Sequence, residues 1–67
     1  MISVSLNGAP AELSVPTSIA QLLEAYDYAA RRVAVELNGE IVPRSQHATR
    51  ELSAGDRIEI VQAIGGG

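Results

Sequence analysis

The residues with chemistry to offer stand at the end of the chain, where Val61-Gln62-Ala63-Ile64 runs into Gly65-Gly66-Gly67 and a free carboxylate. Successive glycines do not stabilise a fold, since each loses the most backbone freedom on ordering and packs no side chain. A glycine thread spans about 3.5 Å per residue when extended and has nothing to collide with a narrow channel. It can therefore deliver a carboxylate into the active site of another protein. A carboxylate is inert at neutral pH until it is activated, commonly as an acyl phosphate or acyl adenylate, after which a nucleophile displaces the leaving group. On this reading Gly67 carries the reaction and Gly65 and Gly66 present it. Ile64, Val61 and Ala63, beside the tail, form the expected docking surface, Ile64 serving either as its anchor or to complete the core, with Ser3, Ser5 and Ala34 extending the surface over the outer sheet face.

Other chemistries find little to work with. His47 is the only histidine and there is no cysteine, so neither a Cys-His pair nor a multi-histidine metal site can be assembled. Ser45, His47 and Asp56 have the residue types of a nucleophilic triad but fall in turn-like segments without an oxyanion loop signature, and His47 is expected to be a solvated loop residue. Glu24, Asp27, Glu36 and Glu59 occupy outward positions and read as solvated surface. The five cations are arginines at positions 31, 32, 44, 50 and 57, scattered and without an aromatic platform, unlike the concentrated basic footprint of a nucleic-acid binder. The net charge of -3 suits docking to a positively charged protein surface.

A tail of this kind needs a rigid body behind it. Sixty-seven residues, 46% hydrophobic and 19% charged, describe one small globular domain, residues 1–64, followed by the glycine tail, residues 65–67. Without cysteine, stability must come from packing and regular structure. The chain opens directly into a strand pattern with no basic and apolar leader and no spanning-length run, so the expected compartment is the cytoplasm.

Ile2, Val4 and Leu6 alternate with Ser3 and Ser5, the period of a half-buried strand. Asn7-Gly8 suits a primed turn, and Ala11, Leu13 and Val15 resume the alternation up to Pro16. Ser18 and Gln21 form a capping box that starts a helix near Ile19. Ile19, Leu22, Leu23, Tyr26 and Ala30 then make one apolar helical stripe, with Tyr26 in the core and Tyr28 at the helix end. Val33, Val35 and Leu37 mark a third strand, Asn38-Gly39 a second tight turn, and Ile41-Val42 a short edge segment. Residues 44–51 show no period and read as a loop or short helical turn closed by Leu52. Ala54-Gly55-Asp56 is a turn before a last strand from Arg57 to Ile64, with Ile58 and Ile60 buried. The order β-β-α-β-β-β predicts an α+β layer with one helix on a sheet face. The last strand fits best beside the first, in the sheet centre.

The run AVELNGEIVPRSQ followed by LSAGDRIEIVQAIGGG resembles the ThiS family of thiamine-biosynthesis sulfur carriers across essentially the whole chain. The most specific part is Asn38-Gly39-Glu40-Ile41-Val42-Pro43-Arg44, with Gly55-Asp56 and the terminal glycines; the diglycine alone is shared by ubiquitin-like proteins generally. The resemblance implies a β-grasp, ubiquitin-like fold with a mixed sheet packed on one main helix. It implies a protein co-substrate rather than an enzyme. It further implies that an E1-like, ThiF-type partner uses MgATP to adenylate the carboxylate of Gly67, with no cofactor held permanently, and that sulfur from a cysteine-derived donor then leaves a thiocarboxylate that supplies a ThiG-type thiazole synthase. No nucleic-acid or membrane partner is expected.

Two features fit this without the resemblance. A chain without cysteine cannot store sulfur on a side chain, and a chain without lysine cannot be linked to its own side chains by isopeptide bonds. The third glycine, Gly65, departs from a simple diglycine ending but leaves the reactive residue unchanged. Arg44 lies in the matched run, where it either pins the loop through a carboxylate such as Glu40 or meets a partner. Three alternatives remain open: a molybdopterin-synthase small subunit, a protein modifier that joins its terminus to lysines on targets, and a β-grasp binding module with incidental glycines. The short chain, the absence of Phe and Trp and the NGEIVPR run favour the thiamine carrier over the first.

Overall fold

A computed structural model of the chain describes residues 1–62; residues 63–67 lie outside the described residues. In chain order the elements are β1 (Ile2–Leu6), β2 (Ala9–Leu13), α1 (Ile19–Ala25), β3 (Val33–Leu37), β4 (Glu40–Val42), a 3-10 turn (Arg44–Gln46) and β5 (Arg57–Gln62). The strands form one sheet in the order β2-β1-β5-β3-β4. Strand β5 runs parallel to β1 and antiparallel to β3, so the sheet is mixed and β5 is its central member. This is the α+β, β-grasp arrangement expected from the sequence, with the last strand beside the first.

Local chemistry explains the joints. Asn7 (φ 51) and Gly8 (φ 84) connect β1 to β2, and Asn38 (φ 53) and Gly39 (φ 87) connect β3 to β4, each pair with both central residues at positive φ as a primed turn requires. The capping box is complete: the Gln21 backbone N–H donates to Ser18 Oγ at 3.1 Å, and the Ser18 N–H donates to Gln21 Oε1 at 2.9 Å. Ile19, Leu22 and Leu23 of α1 join Val4, Val35, Leu37, Ile58 and Ile60 of the sheet in one buried cluster, closed by Leu52. Among the described residues no helix is long and apolar enough to cross a membrane.

Three expectations are corrected. The strand β2 ends at Leu13 rather than running to Val15, whose side chain is exposed. The helical stripe is shorter than its spacing predicts: α1 stops at Ala25, Tyr26 is 42% exposed, and Ala30 lies outside the helix and is exposed. The cause is a Schellman ending. Asp27 takes the left-handed conformation (φ 65), its N–H donates to Glu24 O at 3.2 Å, and the Tyr28 N–H reaches back to Leu23 O at 2.7 Å. Tyr28 then folds in as a half-buried neighbour of the core. Finally, His47 is 8% exposed rather than solvated, with Nε2 hydrogen-bonded to the Val42 carbonyl at 3.0 Å.

Candidate functional site

The tail is fed by β5, so the site begins with what holds β5 in place. At its start, Asn38 Oδ1 accepts the Arg57 N–H at 2.9 Å, and Asn38 Nδ2 donates to Asp56 Oδ1 at 3.1 Å. The other Asp56 oxygen accepts the Ser53 N–H at 2.7 Å, closing the turn. Strand β1 pairs with β5 only through Ser5 and Leu6, opposite Arg57 and Ile58. Beyond that point Asn7 continues the ladder: its N–H donates to Ile58 O at 2.9 Å and its Oδ1 accepts the Ile60 N–H at 2.7 Å. The strand is thus fastened along its first four residues by both neighbours, and β3 alone accompanies it to the end, with Val61 opposite Ala34 and Gln62 opposite Val33.

Of the residues expected to act, Gly65, Gly66 and Gly67 lie outside the described residues, as do Ile64 and Ala63. Val61 is described and is 58% exposed on the outer sheet face, where Ala34 and Ser3 are also exposed and Ser5 is half-buried. Ser45, His47 and Asp56 are not assembled into a triad. His47 spends Nε2 on the Val42 carbonyl, and Asp56 is engaged by Ser53 and Asn38. Among the described residues no three His, Cys, Asp or Glu side chains are grouped as metal ligands.

Sequence reading missed one feature. A concave surface of about 370 Å³ adjoins the end of β5, and Arg31, Arg32 and Arg44 line it together with Val33, Val61 and Gln62. Leu23 and Tyr28, joined by a hydrogen bond of the Schellman ending, also line it, as does the buried His47. Three of the five arginines of an acidic chain therefore share one basin, and among the described residues no carboxylate lines it. Arg31 is partly neutralised by Asp27 at 3.6 Å and sits 5.8 Å from the centre of the Tyr28 ring. Among the described residues Arg32 and Arg44 form no ion pair, so Arg44 does not pin its loop through Glu40. The signal was present in the hairpin register. With Val35 opposite Val42, the residues before Val33 must lie beside those after Pro43, which brings Arg31-Arg32 to Arg44.

The basin, the exposed outer face of β3 and β5, and the end of β5 are contiguous. The arrangement can present an extended segment from a fixed point and offer a mixed apolar and cationic surface around its base. Within the described residues Ser45, His47 and Asp56 are not brought together, and no metal-ligating group of three is formed.

Comparison with known proteins gives a consistent result. The family model for the ThiS family matches residues 4–67. The chain is 38% identical over 66 residues to the uncharacterized protein ycf40 of Pyropia yezoensis, covering 98% of this chain and 93% of that one. It is 42% identical over 62 residues to a thiazole synthase of Paramagnetospirillum magneticum, covering 92% of this chain but 19% of that protein. Among solved structures, the crystal structure of the thiamine biosynthesis protein (ThiS) from Geobacter metallireducens superposes with a TM-score of 0.85 at 32% identity, covering 98% of this chain and 100% of that one.

Proposed function

The chain belongs to the ThiS family, small sulfur carriers of thiamine biosynthesis rather than catalysts, and from that premise we propose that its Gly67 carboxylate is the group that is loaded. In the first step the carboxylate attacks the α-phosphorus of MgATP held by an E1-like, ThiF-type partner, forming the acyl adenylate and releasing pyrophosphate. The terminal sulfur of a cysteine-derived persulfide then attacks the acyl carbon and AMP leaves. A thiol reduces the resulting acyl disulfide, freeing the thiocarboxylate. Sulfur passes from there to a ThiG-type thiazole synthase.

The observation that carries this reading is the family match through residue 67, which includes the glycine run, joined to a β5 that is locked at the sheet centre. Activation requires the acyl carbon to be held near a nucleophile and leaving group supplied by another protein. A firmly held strand followed by side-chain-free residues meets that requirement with nothing at the carbonyl to hinder attack. The choice of acceptor is supported by the relative from Paramagnetospirillum magneticum, in which a stretch resembling this chain is part of a polypeptide named thiazole synthase. Joining carrier and acceptor in one chain raises their effective concentration.

The test is the intact mass of the protein after incubation with MgATP, a cysteine-derived sulfur source and the adenylating and sulfur-transfer proteins of the same organism. The expected result is a gain equal to replacing one oxygen by sulfur, mapped to Gly67. An isopeptide-linked adduct in its place would make the chain a protein modifier, and an unchanged mass in a demonstrably active mixture would overturn the reading.

A further inference from the structure

We propose that the basin of Arg31, Arg32 and Arg44 seats an acidic segment of the adenylating partner, a stretch of protein in which carboxylates flank an apolar residue. The inference rests on the carrier reading above and gives it a docking surface. Its premises are positional and electrostatic. An active site that receives residues 63–67 must close over the point where they leave β5, and Val61 and Gln62 at that point are themselves lining residues of the basin. The five residues beyond Gln62 span at most about 17 Å when extended. The surface of the partner therefore has to come against this end of the sheet for the tail to be used at all.

The chemistry of the basin selects the segment. Apolar side chains, among them Leu23, Val33 and Val61, line the basin together with the three arginines and the buried His47. Arg31 already has Asp27 for a partner, which leaves Arg32 and Arg44 without an ion pair among the described residues. Both side chains are on exposed residues, so they act as rim cations that steer and orient an approaching anion. The buried lining residue His47 has its Nε2 engaged by the Val42 carbonyl, and the two unpaired arginines sit on exposed residues, unlike the buried converging donors of a closed phosphate site. A lining that mixes apolar side chains with arginines is instead the composition of a protein interface. The remainder of the chain is acidic, so this face is the part of the molecule that draws a negatively charged surface, and it orients the carrier with its tail forward.

The chain's own Gly67 carboxylate is the rival occupant. Ordering five residues, three of them glycine, forfeits more backbone entropy than one exposed carboxylate-guanidinium pair returns, which disfavours it.

The experiment measures binding of the full chain to the adenylating enzyme of the same organism by titration calorimetry, beside the rate of tail adenylation. Arg32→Glu with Arg44→Glu is compared with Arg50→Glu with Arg57→Glu, which changes the net charge equally at exposed positions outside the basin. Expected are an unchanged melting temperature in both, a loss of affinity of about tenfold or more for the basin pair only, and a flattened salt dependence in that variant. Equal weakening by the two pairs would reduce the effect to net charge and overturn the proposal. Unchanged affinity of the basin pair would overturn it while leaving the carrier reading intact, provided the wild-type tail is still adenylated. A wild-type chain that neither binds nor is adenylated would overturn both. An affinity that rises when residues 63–67 are removed would assign the basin to the chain's own tail.

Discussion

Asn7 and Ile60, 53 residues apart in sequence, are joined by a 2.7 Å hydrogen bond from the Ile60 backbone N–H to Asn7 Oδ1. The same asparagine holds the left-handed conformation (φ 51) that turns β1 into β2. One residue therefore closes the first hairpin through its backbone and, through its side chain, extends the ladder of the central strand past the place where β1 ends.

Replacing Asn7 tests both roles. Asn7→Gly keeps the backbone conformation and removes the bond, leaving a donor of the buried Ile60 unpaired at about 1–3 kcal/mol. Asn7→Ala removes the bond and adds the left-handed strain of an ordinary residue, about 1 kcal/mol more. Urea denaturation should rank wild type, then glycine, then alanine. A glycine variant as stable as wild type would show that the bond to Ile60 contributes nothing.

Asp27→Gly should act in the opposite direction. The Schellman ending of α1 places an aspartate at the left-handed position most often taken by glycine. Relief of that conformation should exceed loss of the exposed ion pair with Arg31. The net expectation is a gain of about 0.5–1 kcal/mol, read as a higher denaturant midpoint with unchanged slope. A loss of stability would mean that the Arg31 contact outweighs the backbone term.

His47→Ala is expected to destabilise the fold by about 1–3 kcal/mol through the unpaired Val42 carbonyl and the space left beneath the loop. His47 also lines the arginine basin, so partner binding and loading of the fraction that stays folded should be followed together and are expected to fall, if at all, in parallel. A folded variant that binds its partner normally but is not loaded would give His47 a chemical role.

Removal of Gly66 and Gly67 separates fold from function. Unfolding free energy should change by less than about 0.5 kcal/mol, while thiocarboxylate formation should cease altogether. A clear fall in melting temperature would show that the tail packs on the domain. Undiminished activity in the carrier reaction would remove the glycines from the mechanism.

Much of the fold could be read in advance because its signals are local. Asn7-Gly8 and Asn38-Gly39 can close hairpins by themselves, and Ser18 and Gln21 satisfy each other's amides wherever the helix lies. The central placement of β5 followed from the need to bury Ile58 and Ile60. The misreadings arose where a long-range or unusual local choice decided. Tyr26 and Ala30 continue a helical spacing that the chain abandons at Asp27, and an aspartate at a helix end is a weaker stop signal than glycine. The burial of His47 depends on the Val42 carbonyl five residues earlier, in a segment without periodicity. The arginine basin was hidden because its members come from separate segments, which only the β3–β4 register brings together. The reactive residue named from sequence lies outside the described residues, and its assignment stands on the glycine run and the family match.

Placing β5 between β1 and β3 also governs how the protein comes to exist in the cell. Among the described residues the two hairpins, β1–β2 and β3–β4, share no strand pairing and are joined within the sheet by β5. During synthesis the first hairpin, the helix and the second hairpin all leave the ribosome before the strand that couples them. A chain cut short ahead of Arg57 has two hairpins with no strand pairing between them and a core that lacks Ile58 and Ile60. Arrival of the connecting strand therefore completes the sheet and brings Ile58 and Ile60 into the core in one event, at a point in the chain just ahead of the glycine run.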